Sequence, residues 1–500
     1  MPAIPSGDAF SASRARFDQV CLFMGGEEAA SLTHGELEAR LTIDVRDLVR
    51  QLFQDHLELR ALCEHRLANV ADELGRTRGT IEPGHVRPLQ TIFGEVDVTR
   101  LAYRRRGEDN RYPADAALNL PEEVHSHGLR ERSAIESARG SFEEARDAVQ
   151  RSCGVTLGKR QVEQLAVRSA VDFEAFYDQL SHPQSSVNDL LVLSADGKGI
   201  VMRPGALRPA TAKAAGQATA KLKTRLSKGE KRNRKRMAEV ATVYDATPIV
   251  RAPTDIIGRA DDADRAPAPK ASNKWLTASV VGDAASVIAT AFEEAERRDP
   301  EHLRTWIALV DGAKHQIDRI EVEAQARQVE VSIICDFIHV LEYLWTSAWS
   351  FFPEGDSAAE EWVAKKALAV LQGEASTVAA SIRRKATRLG LDPRTRENAD
   401  HCADYLLAKR DYLDYRRALT EGWPIATGVI EGACRHLVKD RLDLTGARWG
   451  LNGAEAILKL RALRSNGDFD EYWTFHLNRE RQRVHEARYA DGTIPRAAPY

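Results

Sequence analysis

The sequence predicts an α/β core, a mixed β-sheet flanked by helices, with an all-α insertion and a helical N-terminal region. Three observations predict the core. Apolar runs of strand length alternate with helical segments between residues 186 and 337. Two of those runs end in an aspartate followed by glycine, at Asp196 and Asp311, and Glu431 stands near the start of a later predicted helix. Together they predict one sheet edge that carries acidic side chains.

The bulk composition describes an ordinary globular chain of several domains. The 500 residues are too many for one core, and 43% of them are hydrophobic and 29% charged. No run approaches the roughly 20 apolar residues of a membrane span, and the N-terminus lacks a signal-peptide pattern. The six cysteines are scattered without a C-x-x-C pair, which argues against a zinc ribbon or a disulfide framework. We therefore expect a cytoplasmic protein.

The first 130 residues predict a helical region with a short β-hairpin. Apolar residues recur at three- and four-residue steps from Leu41 to Leu52, which indicates a helix between about Thr33 and Ala71. From Thr91 to Tyr103 the pattern alternates with a period of two, as in a half-buried strand or hairpin.

Residues 131–180 predict a helix-turn-helix-like DNA-binding segment. Ser141 and Glu144 form a capping box, Gly154 ends the helix that follows, and a second helix starts near Leu157. Its first turns carry the candidate DNA-binding residues, which are Lys159, Arg160, Gln161 and Gln164. Any helical hairpin would show the same pattern, so both interpretations stay open here.

The order of the next elements predicts an RNase H-like catalytic domain. The predicted strands are 190–195, 200–202, 238–244, 306–310 and 331–335, with a turn at residues 197–199 between the first two and helices around the fourth. This order is RNase H-like if the helix with Glu431 closes the domain. The domain is then split into residues 186–337 and 427–500, with a helical insertion domain at 338–426.

Asp196, Asp311 and Glu431 form the candidate catalytic and metal-binding set. Hard divalent cations take oxygen ligands, and a two-metal clamp promotes in-line displacement at phosphate. A single aspartate at a strand end is usually only a polar cap. The prediction depends on the pair of aspartates, on their strand order, and on the glutamate in the closing helix.

Asp336 and His339 follow the last predicted strand with a spacing that puts both on one face of the next helix. Asp336 is a candidate accessory residue and His339 a candidate catalytic one. The plainer interpretation is a helix cap and a hydrogen-bonded histidine. Cys335 with His339 supplies too few ligands for zinc.

Residues 221–236 form a basic insert in an otherwise acidic chain. They carry nine Lys or Arg and one Glu, a local charge of +8, so the rest carries −11 to give the net −3. That contrast predicts a phosphate-backbone contact, for which the candidates are Lys231, Arg232, Arg234, Lys235 and Arg236. The alternative is a solvated loop.

Arg448 and Trp449 lie just after the helix with Glu431. An arginine next to an aromatic residue is able to grip an unpaired base. A core tryptophan is the alternative.

Four motifs resemble the ISKra family of bacterial insertion-sequence transposases. They are the segments 194–199 (SADGKG), 310–313 (VDGA), 336–345 (DFIHVLEYLW) and 428–441 (GVIEGACRHLVKDR), and the 445–449 segment (TGARW) fits as well. The similarity runs from about residue 93 to residue 473 and is weak before residue 85. The ordered set of motifs is specific, whereas any one of them alone is not.

The resemblance implies a DDE transposase, an enzyme of DNA recombination related to Mutator-type transposases. Asp196, Asp311 and Glu431 would bind two Mg²⁺ or Mn²⁺ ions, and the Asp336/His339 pair is similar to the D-x-x-H element of the Mutator group. The enzyme would cleave at transposon ends and join the 3′-OH to target DNA. Basic residues expected near the reacting phosphate are Lys198, Arg435, Lys439 and Arg441.

The expected partners are the terminal inverted repeats and target DNA, and two ends require a homodimer or a larger assembly. Two alternatives stay open from the sequence. One is an RNase H-like, metal-dependent nuclease without strand transfer. The other is a DNA-binding regulator that keeps the fold without catalysis.

Overall fold

A computed structural model describes residues 9–181, 185–217, 229–230, 234–258, 265–444 and 446–496. The chain forms two compact units. The first combines Met1–Gln179 with Gly467–Tyr500, and the second is Leu180–Asn466. The predicted catalytic domain extended to residue 500, but the C-terminal helix Phe469–Val484 groups with the N-terminal unit. No helix in the described part of the chain has the length and apolar content that a membrane span requires.

A long helix and a hairpin organise the first unit. The helix His34–Leu62 begins at a capping box between Thr33 and Glu36, and it ends earlier than the predicted residue 71. Strands β1 (Thr80–Thr91) and β2 (Gly94–Arg104) pair antiparallel. The hairpin turn therefore falls inside the segment whose alternation predicted a strand or hairpin. The other helices of residues 9–125 are Ser11–Met24, Glu27–Ser31 and Pro113–Ala117.

Three helices form the predicted helix-turn-helix segment, and they are His127–Arg139, Phe142–Cys153 and Lys159–Arg168. The Ser141–Glu144 capping box is present, with Glu144 N donating to Ser141 Oγ at 3.1 Å. Gly154 ends the middle helix in the left-handed conformation with φ of 71°. Apolar side chains of both later helices are buried, which fixes their polar residues outward.

The second unit is built on a five-stranded mixed sheet with the order β5-β4-β3-β6-β7. The five strands are β3 (Leu190–Val201), β4 (Lys235–Ala246), β5 (Ala271–Ser279), β6 (Trp306–Val310) and β7 (Val331–Cys335). β3–β4 and β4–β5 are antiparallel, whereas β3–β6 and β6–β7 are parallel. The helices Ala284–Arg298 and Lys314–Arg327 make the crossovers before β6 and β7.

The sheet differs from the predicted strands in two places. The predicted turn at residues 197–199 is wrong, because β3 runs unbroken through both glycines and pairs with β4 along its whole length. A Cβ at Gly197 would lie 2.9 Å from Glu239 Oε2, and one at Gly199 would lie 2.9 Å from Lys235 Cδ. The glycines thus make room for side chains of β4 instead of turning the chain. Strand β5 was not predicted.

Helices complete the second unit. Those between β7 and the segment with Glu431 are Phe337–Ala348, Ser357–Leu371, Ala375–Arg388, Glu397–Ala408 and Tyr415–Thr420. The Glu431 helix, Gly428–Ala433, continues as a π-helix over Cys434–Lys439 and as a short α-turn at Asp440–Leu442. Helix Leu451–Asn466 follows, and Pro209–Gln217 and Pro253–Ile256 are short helices near β4.

Candidate active site

Asp196 lies within β3, and Asp311 directly follows the neighbouring strand β6. Ser194 of β3 pairs in parallel with Leu309 of β6, and Ser194 Oγ donates to Leu309 O at 2.7 Å. Each aspartate comes two residues after that pair. Because side chains alternate along a strand, Asp196 lies on the same face of β3 as Ser194.

One carboxylate oxygen of each aspartate accepts a hydrogen bond from a backbone amide one or two residues further along the chain. Gly197 N donates to Asp196 Oδ1 at 2.6 Å, and Ala313 N donates to Asp311 Oδ1 at 2.7 Å. These bonds fix the carboxylates and leave the second oxygen of each for other partners. Both side chains are half-buried, so they remain accessible from one side.

Hydrogen bonds join the Glu431 helix to two aspartates, Asp196 and Asp336. Thr427, Glu431 and Cys434 lie four and three residues apart and therefore share one helix face. Cys434 Sγ donates to Asp196 Oδ2 at 3.3 Å. Thr427 Oγ1 donates to Asp336 Oδ2 and also lies 3.4 Å from Glu431 Oε1. Glu431 itself is exposed and lies between Thr427 and Cys434 along this helix.

Asp336 is fully buried and accepts hydrogen bonds at both oxygens. Its Oδ1 accepts from Ile338 N at 2.8 Å, which caps the helix Phe337–Ala348. Its Oδ2 lies 3.2 Å from His339 Nδ1 and accepts from Thr427. Asp336 N donates to Val310 O at 2.7 Å, which ties the cap to the end of β6, next to Asp311. Asp336 is therefore a helix cap, as the plainer interpretation predicted, and it also lies next to the end of β6 that precedes Asp311.

His339 and Cys434 are among the titratable groups near the acids whose pKa values are shifted. The hydrogen bond with Asp336 raises the pKa of His339, although partial burial opposes it. Burial raises the pKa of Cys434, and the negative charge of Asp196 adds to that effect. His339 therefore retains its proton to higher pH than an ordinary histidine, and Cys434 stays a neutral thiol that donates.

Four further residues of this site escaped the sequence reasoning. Thr427 and Cys434 attach the Glu431 helix. Tyr405 belongs to the helical insertion, and its hydroxyl donates to Asp311 O at 3.3 Å. Glu239, opposite Gly197 on β4, has a pKa raised by burial, and the charge of Asp196 contributes although His315 opposes it. Only Thr427 and Cys434 had a local signal in the sequence, because they stand four residues before and three residues after Glu431 and so share its helix face.

The helix changes type directly after Glu431. Its π-helical segment Cys434–Lys439 has one residue more per turn than an α-helix would hold. Such segments are frequent at functional sites. Here the π-segment begins at the cysteine that contacts Asp196.

Basic residues after Glu431 divide into exposed and buried ones. Arg435, Lys439 and Arg448 are exposed, so they stay candidates for a phosphate contact. Arg441 is 3% exposed, and its guanidinium lies 4.6 Å from the ring centre of Trp449. Trp449 is 5% exposed and donates Nε1–H to Leu442 O at 2.9 Å. These two residues are therefore corrected from predicted DNA contacts to core residues.

The basic insert lies partly outside the described residues, and this includes Lys231 and Arg232. Lys235 is exposed and Arg234 half-buried. Arg236 donates to three backbone oxygens, those of Val280 (2.6 Å), Ala206 (3.2 Å) and Val281 (3.3 Å). Its guanidinium is used within the fold, which corrects the prediction of a phosphate contact for Arg236.

The four predicted residues of the helix-turn-helix segment are all exposed. Gln161 Oε1 accepts from Gly158 N at 2.7 Å and thus caps its own helix. Lys159 Nζ lies 3.9 Å from Glu143 Oε2, a loose surface pair. Arg160 and Gln164 have no such contact among the described residues, so they are the best placed to reach a base edge.

The acidic residues fit hard divalent cations in kind. Asp196, Asp311 and Glu431 offer carboxylate oxygens, whereas Cys434 offers a protonated thiol and no thiolate for zinc. Among the described residues, no three His, Cys, Asp or Glu side chains are gathered as a ready-made metal site.

Comparison with known proteins adds little. No protein-family model matches the chain, and no curated protein matches it. Among solved structures, the chain is similar to the Drosophila P element transposase strand transfer complex, with 11% identity and a TM-score of 0.24, over 70% of this chain and 79% of that chain. A TM-score this low carries no argument about fold or function.

Proposed function

We propose that this protein is a DDE-type DNA transposase with an RNase H-like catalytic core. One observation carries the proposal. Asp196 lies in β3, Asp311 directly follows the parallel neighbouring strand β6, and the Glu431 helix is bonded to Asp196 through Cys434. The strand order β5-β4-β3-β6-β7, with two antiparallel and two parallel pairings, supports an RNase H-like core. The motifs that resemble ISKra transposases support the finer assignment.

Asp196, Asp311 and Glu431 would hold a pair of Mg²⁺ or Mn²⁺ ions. When bound, such ions activate water and stabilise charge on the phosphate in in-line displacement. The chain itself fixes the carboxylates through Gly197 N, Ala313 N and Cys434 Sγ. A preorganised set of ligands need not rearrange during the reaction, and this lowers the barrier.

The proposed substrate is DNA at the two ends of a transposon. Arg160 and Gln164 would read base edges of the terminal inverted repeats, and Lys235 with the exposed cations Arg435, Lys439 and Arg448 would contact phosphates. Hydrolysis would free a 3′-OH, which would then attack target DNA. Joining two ends calls for at least two copies of the chain.

A plasmid-joining assay tests this function against a simple nuclease. Purified protein, Mg²⁺, an end-labelled duplex from the inverted repeat flanking the gene, and a supercoiled plasmid are incubated together. We expect nicked ends and covalent joining of labelled DNA to the plasmid. Cleavage without joining would favour an RNase H-like nuclease, and specific DNA binding without either reaction would favour a regulator.

A further inference from the structure

Two neutral hydrogen-bond donors flank Glu431 on its own helix face. Thr427 lies one turn before it and Cys434 one turn after it. Each donates to a different aspartate, Thr427 to Asp336 and Cys434 to Asp196. These hydrogen bonds join positions 91 and 238 residues apart in sequence.

Thr427 contributes its hydroxyl from a buried position. The residue is 4% exposed, and Asp336 is fully buried. A buried carboxylate without donors is costly, so the hydroxyl has a strong partner there. A hydroxyl has one hydrogen, and the Asp336 oxygen is the nearer of its two acceptors. Glu431 Oε1 lies 3.4 Å from the same hydroxyl, so Thr427 acts on Glu431 mainly by fixing the start of its helix.

Cys434 performs the matching task at the other end. Cys434 is 6% exposed. Its thiol donates to Asp196 Oδ2, whereas Asp196 Oδ1 accepts from Gly197 N. A lysine or arginine at either position would reach the same aspartates but would also add a positive charge beside the ligands of a cation. A neutral donor orients the carboxylate and keeps the negative charge of the site.

We infer that Thr427 and Cys434 are positioning residues that hold Glu431 between Asp196 and Asp336. The inference rests on the proposed function in one respect, because that function makes Glu431 a ligand of the metal pair. The two hydrogen bonds from which the inference is argued do not depend on that function. Removal of either donor should loosen the Glu431 helix at that end.

The experiment compares Thr427→Val with Thr427→Ser, and Cys434→Ala with Cys434→Ser. Valine keeps the shape of threonine without the hydroxyl, and serine keeps a donor at either position. The first measurement is Mn²⁺ binding without DNA, from the electron paramagnetic resonance signal of free Mn²⁺. Loss of a partner that orients a metal ligand typically costs about 10–100-fold in metal affinity. We expect such a loss for Thr427→Val and Cys434→Ala, and recovery of most of it with serine.

The second measurement needs neither metal nor DNA. Nδ1 of His339 lies 3.2 Å from the Asp336 oxygen that accepts from Thr427, so the NMR shifts of the His339 ring nitrogens report that end of the network. Thr427→Val should move these shifts, whereas Cys434→Ala, at the opposite end, should leave them in place. Thermal unfolding of each variant checks the fold, and Thr427→Ala serves as a second hydroxyl-free variant if valine prevents folding.

The outcomes separate the inference from the function. Unmoved His339 shifts in Thr427→Val, or equal Mn²⁺ affinity in the valine and serine variants, would overturn the inference. A wild-type protein that neither binds Mn²⁺ nor cleaves DNA would overturn the proposed function. The His339 shifts would still decide whether Thr427 positions Asp336.

Discussion

The Sγ of Cys434 lies 3.3 Å from Oδ2 of Asp196 and joins a helix to a strand across 238 residues of sequence. This hydrogen bond ties the helix that carries Glu431, one turn earlier, to the strand that carries Asp196.

The first prediction concerns Asp196. Replacement by asparagine keeps the shape and removes the charge of a proposed metal ligand. Cleavage of transposon-end DNA should fall more than about 100-fold, because metal ions contribute several kcal/mol of transition-state stabilisation. Gel-shift affinity for the same DNA should change little. Asp411→Asn, at an exposed position of the helical insertion, is the control. Wild-type turnover by Asp196→Asn would exclude the proposed mechanism.

The second prediction separates two neighbouring glutamines. Gln164→Ala and Arg160→Ala should each reduce discrimination between the terminal repeat and random DNA by about 1–3 kcal/mol if the side chain makes a bidentate base contact. Gln161 already caps Gly158 N, so Gln161→Ala should mainly lower thermal stability. Competition binding with both duplexes measures the discrimination. Equal losses on both duplexes for Arg160→Ala would indicate a phosphate contact.

The third prediction is a pH dependence at His339. Its hydrogen bond with Asp336 raises the pKa of His339 above the ordinary 6.5. The protonated ring therefore stabilises the fold fully below pH 6.5, and this contribution is lost as the pH rises through the folded-state value. Asp336→Asn should lower the pKa of His339 toward 6.5. Titration of the ring nitrogens by NMR measures both values.

The same pair has a consequence for activity. His339→Ala should slow cleavage without unfolding the protein, since the ring is partly exposed and caps nothing. Circular dichroism checks the fold of this variant. An unchanged cleavage rate would leave the pair with a purely structural task at the start of helix Phe337–Ala348.

The fourth prediction concerns the basic insert. Gln replacements at Lys231, Arg232, Arg234 and Lys235 should flatten the plot of log K against log salt by up to roughly 3.6 units, about 0.9 for each phosphate that the variant no longer neutralises. Affinity should fall similarly for terminal-repeat and random duplexes. Arg236→Gln should instead destabilise the fold, because that side chain holds three carbonyls. An unchanged salt slope in the fourfold variant would mean a solvated loop.

The fifth prediction tests the buried position of Trp449. Trp449→Phe removes the hydrogen bond to Leu442 O, at a cost of about 0.5–1.5 kcal/mol of unfolding free energy. Urea unfolding measures the loss. DNA affinity of the folded variant should stay unchanged. A selective loss of affinity for DNA with unpaired ends would restore the base-gripping interpretation.

Local patterns in the sequence were sufficient to predict several elements. The apolar runs before Asp196 and Asp311 predicted the strands that carry them, because a buried strand reads as continuous apolar residues. Ser141, Glu144 and Gly154 predicted the ends of the middle helix of the helix-turn-helix segment, because caps act over three or four residues. Whether Asp196, Asp311 and Glu431 bind metal, and whether the ISKra resemblance reflects function, stay predictions.

The tertiary structure alone decided the rest, since long-range partners leave no local pattern. Strand β5 begins with the polar residues Ser272, Asn273 and Lys274, and it exists through pairing with β4. Gly197 and Gly199 predicted a turn, but side chains of β4 fill the space that they leave, so β3 continues. The sequence by itself determined that Asp311 follows the end of a strand and that Glu431 lies on a helix, whereas the fold placed Asp196 inside β3 instead of at a strand end. Only the fold decided that Thr427 and Cys434 hold them together, because each hydrogen bond needs a partner that is distant along the chain.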